Sequence, residues 1–318
     1  MNKKKFKNIL VVLGGTSGER AVSLESGKAC IKALKKNKYK VSSFDPKKKN
    51  YNLINKSETD AIFNALHGKN GEDGVAQSYF EYLKIPYTHS GVVSSFNAMD
   101  KLISKKIFFK NKIKTPKYFS IKRNYKISSV DKILKLKKIK YPIIVKPVNE
   151  GSSLGVELCK NKKILIKSIK KLIKKYNRVM IEQFIPGQEI QVAIINGRPL
   201  GAIELVPKRK FYDYKAKYTK SAKTEHIMPA RLPKIKYSEV LKIAKKTHDA
   251  FKCRGVTRAD FKFYKGNFYL LEINTQPGMT SLSLVPEIAN FKGINFAQLV
   301  DKILLDASIN KWEINPFS

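Results

Sequence analysis

The sequence is short of cysteine, arginine, acid and long apolar runs, and each shortage removes a class of protein. Its three cysteines, Cys30, Cys159 and Cys253, lie far apart, with no CxxC and no Cys/His pairing. That excludes a disulfide framework and a zinc site. No stretch reaches the roughly 20 apolar residues of a membrane span. The apolar run behind the basic N-terminal MNKKKFK is only a strand long and lacks a small-residue cleavage site, so the expectation is a cytoplasmic protein with no membrane partner. Acidic residues number 25 against 64 lysines and arginines, for a formal charge of +39. Such an excess invites a nucleic-acid reading. Arginine, however, occurs only at positions 20, 123, 178, 198, 209, 231, 254 and 258, whereas base readers and phosphate forks lean on it. The lysines are spread along the whole chain instead of forming one basic arm with interleaved aromatics. They read as solvated surface, and no nucleic-acid partner is expected. In Lys163–Lys175, for instance, Ile166, Ile169, Leu172 and Ile173 recur at helical spacing and give a packed face with a lysine-rich back.

What is present is ordered in blocks. At 318 residues the chain exceeds one ordinary core, which favours two or three packed units. The β-branched run 7–13 ends in Gly14-Gly15 and is followed by a helical pattern through Leu34. A second apolar stretch, Ala61–Leu66, ends in a His67-Gly68 turn, and a helix over Gln77–Leu83 leads to Ile85-Pro86-Tyr87. This alternation predicts a parallel α/β unit over 1–95, with ligands at the strand ends. A helix from Met99 to Lys112 stops before Thr115-Pro116. Strands at Lys117–Ile121, Pro142–Pro147 and Val179–Gln183 then give a small α+β unit over 96–185. From 186 to 318 the segments QVAIING and PLGAIELV, a helix over Ser238–Phe251 and a hairpin predict a second mixed sheet. The long polar loop Pro207–Thr224 reads as a lid. Neither an internal repeat nor a low-complexity linker interrupts the chain.

Several constellations carry chemistry. Asp260, Glu272 and Asn274 lie on DFKFY and FYLLEIN, where period-2 alternation puts Glu272 and Asn274 on one face and a turn at Lys265-Gly266-Asn267 brings Asp260 alongside. A carboxylate pair on a hairpin is often only a solvated face. Here Tyr269-Leu270-Leu271 is apolar, so Glu272 emerges from a core, and a buried carboxylate needs a cation. Hard oxygen donors with open positions suit Mg²⁺ or Mn²⁺ bridging nucleotide phosphates. Lys146 ends a strand just before the small-residue loop Glu150–Gly155, which either covers a triphosphate with backbone N–H groups or is an ordinary hairpin turn. It is not a P-loop, for no Gly-Lys-Ser/Thr follows, and Gly14-Gly15 lacks the third glycine of a dinucleotide fold. Glu182 and Glu189 flank a crossing at Phe184–Gly187 that either lines an adenine pocket or leaves them as surface carboxylates. Arg258 shares a strand face with Asp260, where it neutralises phosphoryl or oxyanion charge, or simply salt-bridges Asp260. The turn Thr275–Leu284 offers amides and hydroxyls to a carboxylate, although its composition alone says only loop.

Six ordered motifs then fall into line: LGGTSGERAVSL at 13–24, His67-Gly68 with Gly71–Gly74, Met99-Asp100-Lys101, VKPVNEGSSLGV, FYDYKAKY and LLEINTQPGMTSLSLVP. From about residue 8 to 305 the sequence resembles the D-alanine–D-alanine ligases of the ATP-grasp superfamily. The resemblance implies an α/β (α+β) three-domain ATP-grasp fold: an N-terminal parallel-sheet domain (1–95), a central ATP-grasp subdomain (96–185) and a C-terminal one with metal site and lid (186–318). It implies ATP held by Lys101, Lys146 and Ser153 at the phosphates, with Glu182 at the adenine and Glu189 at the ribose. Two Mg²⁺ (or Mn²⁺) ions would sit on Asp260, Glu272 and Asn274. Glu19 and His67 would take the first D-alanine by its ammonium, Arg258 and the Gly278 amide would form the oxyanion site, and Ser283 with the Leu284 amide would take the second carboxylate. Ser152, Glu19 and Tyr218 match the trio that ties loop and lid to the first domain, with Lys217 beside it. A homodimer through the first domain is implied as well. Gln276 and Leu282 depart from the family pattern and put an altered inner wall, and hence an altered second substrate such as D-lactate or another D-amino acid, in view. Tyr218 argues against the depsipeptide variant. A Lys-rich nucleic-acid binder with a vestigial ligase fold is the competing class.

Overall fold

The β-branched run near the N-terminus forms β1 (Asn8–Val12), flanked in parallel by β2 (Lys40–Phe44) and β3 (Ala61–Asn64). The computed structural model describes residues 5–124, 127–207 and 224–310. β1 and β3 are buried because both sheet faces are covered. Helix α1 (Arg20–Lys36) packs Cys30, Ala33 and Leu34 on one side, and α2 (Val75–Leu83) packs Ala76 and Phe80 on the other. β2 is an edge strand whose KVSSF buries only Phe44 fully, and that polarity leaves no strand signal in the sequence. Parallel strands put the loops after β1 and β3 on one rim.

The helix expected from Met99 to Lys112 is α4 (Lys101–Lys110), and a helix with no counterpart among the expected elements, α3 (Val92–Met99), runs up to it. Asp100 leaves the helical backbone between them, and its side chain accepts from the Leu102 and Ile103 amides, which caps α4 and stands Lys101 at its start. The second sheet is antiparallel in the order β4 (Tyr118–Lys122), β7 (Arg178–Gln183), β5 (Ile143–Pro147), β6 (Glu157–Cys159). Helices α5 (Val130–Leu136) and α6 (Lys162–Lys175) cover it. Helix α6 buries Leu165, Ile169 and Leu172 while Ile166 is only half-buried, so its packed face is turned slightly from the expected one.

The third sheet, expected to be mixed, is antiparallel throughout: β10 (Glu225–Ile227), β9 (Arg198–Val206), β8 (Gln188–Ile195), β11 (Val256–Tyr264), β12 (Asn267–Asn274). One face packs Val192, Ile194 and Phe261 under α7 (Lys234–Ala250) and Phe108 of α4. The other packs Ala193, Ile195 and Val256 into one core with α8 (Leu284–Phe291), α9 (Phe296–Leu305), α1 and β1. The fold is therefore α/β, with a parallel sheet first and antiparallel sheets after it. Lys217, Tyr218 and most of the expected lid lie outside the described residues.

Candidate active site

Lys265 and Gly266 close β11 onto β12 as a two-residue turn, both at positive φ (47° and 73°), the backbone whose twist suits a tight hairpin. The register sets Asp260 opposite Glu272 and Arg258 opposite Asn274. Strict alternation along β12 fails, however. Phe268 and Leu270 face the core under α7, and counting on by twos would bury Glu272 and Asn274 beside them. The register shifts between Asp260 and Phe261, and Leu271 enters β12 as an extra residue. Ile273 then takes the core position, and Glu272 and Asn274 turn to the cleft.

Two cavities, of about 950 and 980 Å³, meet there. Glu272 lines both, Asp260 the larger and Asn274 the smaller. Asp260 is 4% exposed and is matched by Arg258, whose Nε and Nη2 donate to its two oxygens at 2.7 and 2.9 Å. The Lys101 ammonium stands 3.7 Å from Glu272, and Asn274 Oδ1 accepts from the Gln276 amide at 2.9 Å. The Asp260 and Asn274 oxygens keep lone pairs beyond these contacts. Two carboxylates and an amide at the mouth of two cavities fit an open Mg²⁺ or Mn²⁺ site. Among the described residues no group of three or more His, Cys, Asp or Glu side chains is placed to hold a metal ion, so any ion here would draw on the Asn274 amide beside the two carboxylates.

The larger cavity lies between the second and third sheets, walled by Lys146 of β5, Glu182 of β7, Glu189 of β8, Lys262 of β11 and Ser153 of the small-residue loop Glu150–Gly155, the glycine loop. Glu182 is buried between two ammonium groups, Lys105 at 2.5 Å and Lys146 at 2.6 Å. Burial alone would push its carboxyl up, but the two lysines outweigh burial and hold it below the ordinary value. Glu189 meets Lys262 across the β8–β11 pair at 3.1 Å. Lys101 donates to the Glu150 carbonyl at 2.5 Å and so ties α4 to the loop. That loop passes through Ser152 and Ser153 at φ 48° and 59°, a region that costs a non-glycine residue about 1–3 kcal/mol and persists only where its surroundings impose it. The fixing partner comes from the first sheet, for the Ser152 hydroxyl donates to Glu19. A Cβ on Gly151 would lie 2.6 Å from the same carboxylate, so a larger residue there would push the Glu19 side chain out of its present place.

The smaller cavity gathers Glu19, His67, Arg258, Gly278, Ser283 and Leu284. Burial, helped by the charge of Arg258, drives His67 down to about 4 against an opposing backbone contact at Gln276, so its imidazole is neutral at pH 7. Glu72, on the same wall, is pushed well above the ordinary carboxylate range by burial and by Glu19. Two such acids resist carrying two charges until a cation joins them. Ser283 Oγ accepts from the Thr280 amide at 3.0 Å, and Leu284 opens α8, whose first N–H groups have no partner within the helix. Hydroxyl and helix start together make an anion seat. A Cβ on Gly278 would approach Ser283 Oγ to 2.8 Å and obstruct that seat.

Every expected site residue among the described ones thus lines one cavity or the other, and Lys101 and Glu272 line both. Gln276 is placed differently from the inner-wall position expected of it. It is 1% exposed and turned to the first sheet, its amide donating to the Leu66 carbonyl and accepting from Asn64 Nδ2 at 2.9 Å. It clamps the loop after β12 to the loop after β3. Leu282 does line the smaller cavity. Three residues went unread in the sequence. Lys262 alternates with Asp260 on one strand face, and Glu72 sits inside the Gly71–Gly74 motif, so both carried a local signal. Lys105, one helical turn past Lys101, carried none beyond that spacing.

The family profile described as D-ala D-ala ligase C-terminus matches residues 107–305, and that described as D-ala D-ala ligase N-terminus matches 43–90. The chain is 57% identical over 307 residues to a D-alanine–D-alanine ligase of Pelagibacter ubique, covering 96% of this chain and 99% of that one. A D-alanine–D-alanine ligase of Citrifermentans bemidjiense is 42% identical, over 96% of this chain and 97% of its own. Among solved structures, D-alanine–D-alanine ligase from Bacillus anthracis complexed with ATP superposes with TM-score 0.80 at 32% identity, covering 94% of this chain and 97% of that one. The VanG D-Ala:D-Ser ligase from Enterococcus faecalis gives 0.81 at 27%, over 94% and 98%.

Proposed function

The chain belongs to the D-alanine–D-alanine ligase family, and from that premise we infer an ATP-dependent ligase that joins two D-alanine molecules into the D-alanyl-D-alanine of peptidoglycan precursors. One observation carries the reading: Glu272 stands where a cavity with lysines at its wall opens into a cavity with an ammonium-type and an anion-type seat.

A carboxylate is a poor electrophile, so the first D-alanine must be activated. Its carboxylate oxygen takes the γ-phosphoryl group of ATP, ADP leaves, and the amine of the second D-alanine, having lost a proton, attacks the acyl phosphate. Collapse of the tetrahedral intermediate forms the amide and expels phosphate. In our proposal Lys101, Lys146 and the Ser153 loop offset the charge of the phosphates, while Glu189 meets the ribose and Glu182 borders the adenine. Glu19 and the neutral His67 accept hydrogen bonds from the first ammonium, and Arg258 with the Gly278 amide faces the developing oxyanion. Ser283 and the Leu284 amide hold the second carboxylate. The Ser152–Glu19 bond holds the glycine loop down over the reacting groups and excludes water. Two divalent ions on Asp260, Glu272 and Asn274, Mg²⁺ or Mn²⁺, would supply further neutralisation of phosphoryl charge. Lys217 and Tyr218 enter from sequence alone, as the lid's contribution.

We also propose the division into units 1–95, 96–185 and 186–318, a cytoplasmic location and a homodimer. The last is supported by exposed apolar residues about one turn apart on a single face of α2, Val75, Tyr79 and Tyr82, beside Val93 and Phe96 of α3. Among the described residues no helix is long and apolar enough to cross a membrane. A coupled ADP-release assay over a panel of D-amino and D-hydroxy acids tests the reading. ADP, phosphate and dipeptide are expected with D-alanine, and weaker turnover with D-serine or D-lactate as second substrate. ATP hydrolysis that ignores D-alanine and yields no dipeptide would sink it.

A further inference from the structure

Lys105 lines neither cavity, yet it is the most deeply buried charge in the chain's described part, at 0% exposure. It projects from α4 so that its ammonium meets Glu182 Oε1 at 2.5 Å and the hydroxyl of Thr115, which donates onward to the Leu270 carbonyl at 2.7 Å. The rings of Phe108 and Tyr118 flank it, each centred 5.9 Å away. An apolar side chain of similar length would fill such a site without the desolvation that a buried ammonium suffers. Mere packing therefore does not explain a lysine.

The other oxygen of Glu182 explains it. That oxygen holds the Lys146 ammonium at 2.6 Å, and Lys146 lines the larger cavity. One carboxylate is shared by two ammonium groups, so the group of three carries one net positive charge, and its only cationic member at the cavity is Lys146. We propose that Lys105 is a positioning residue for the nucleotide site, occupying one oxygen of Glu182 so that Lys146 is held in place with its charge still available to a polyphosphate. Without Lys105, Lys146 and Glu182 close into a one-to-one pair, and the charge that faces the cavity is cancelled. The other charged groups near Lys105 are Glu272, which adds to its hold on a proton, and Lys146, which opposes it. Burial brings Lys105 down to about 8, which leaves it charged at neutral pH.

The proposal rests on the ATP-dependent reading above, and a double-mutant cycle tests it. Lys105→Met, Glu182→Gln and the double variant are compared by steady-state kinetics and by calorimetric titration with ATP and Mg²⁺. Lys105→Met is expected to raise KM and Kd for ATP by about tenfold, a loss of roughly 1.4 kcal/mol, with KM for D-alanine within about twofold of the parent. In the Glu182→Gln background the same substitution should add less than about twofold, because its target is gone. Lys105→Met with unchanged ATP affinity would overturn the proposal, and so would equal damage to both KM values, or effects that simply add. Thr115→Val, which removes only the hydroxyl partner, is the second probe should Lys105→Met fail to fold. It should weaken ATP binding in the same selective way, and an unselective loss contradicts the proposal. A parent chain without D-alanine-dependent ADP release would overturn the functional reading instead, while the ATP titration still decides the role of Lys105.

Discussion

Arg20 and Asp45 show how a single ion pair shapes the rim of the first sheet. Arg20 Nη2 donates to Asp45 at 2.7 Å, and the Gly15 amide donates to the same carboxylate at 3.0 Å. The Arg20 hydrogen bond, opposed in part by burial, holds the Asp45 carboxyl at about 2. A folded value below the unfolded one of about 4 means that the unfolded chain binds the proton more readily. The pair therefore stabilises above pH about 4, and its contribution is lost as pH falls toward 2. Allowing for solvent screening, Asp45→Asn should cost about 1 kcal/mol at pH 7. Denaturant melts of the two chains should differ by that amount at pH 7 and converge near pH 2.

At the scale of the element, the decisive feature is the extra residue in β12. Hairpin, turn and partners were all legible in the sequence, because Lys265-Gly266 is a turn signal and the flanking strands alternate. The face that Glu272 takes was read correctly for an incomplete reason. Simple alternation relates Glu272 to Asn274, but it also relates Glu272 to Leu270, which is in the core. Only the Leu271 bulge reconciles the two, and a bulge depends on the register with β11, which no local pattern encodes. Deleting Leu271 should restore straight alternation and drive Glu272 into apolar surroundings. The expected result is loss of D-alanine-dependent ADP release together with several kcal/mol of stability, read from activity and a thermal melt. Gln276 was misplaced for a related reason. Its partners Asn64 and Leu66 lie more than 200 positions away, so the family resemblance alone leaves it on the pocket wall. Asp100 starts α4 two residues later than expected, because its side chain caps that helix.

At the scale of the whole molecule, three sheets are held so that their edges and loops converge on two adjoining cavities. The core under β1 continues through α8 and α9 into the third sheet, which fixes Glu19 and His67 relative to Ser283. The net charge of +39 has its place on solvated faces such as the back of α6, where Lys163, Lys167, Lys170 and Lys174 are all exposed. The apolar face of α2 and α3 stands apart from that pattern. With Tyr82 84% exposed at its edge, Tyr82→Glu should weaken the proposed dimer. Sedimentation velocity should then show a shift toward monomer at micromolar concentration, and an unchanged parent-like monomer in both chains would exclude this face.

In our proposal Glu272 joins a nucleotide cavity to an amino-acid cavity. The most direct test is D-alanyl-D-alanine and ADP formation by the parent chain and by Glu272→Gln, followed together by mass spectrometry and coupled assay. Equal amounts of dipeptide and ADP from the parent, and a fall of roughly a hundredfold or more in both from Glu272→Gln, are predicted. Dipeptide formation that survives the substitution would contradict the account.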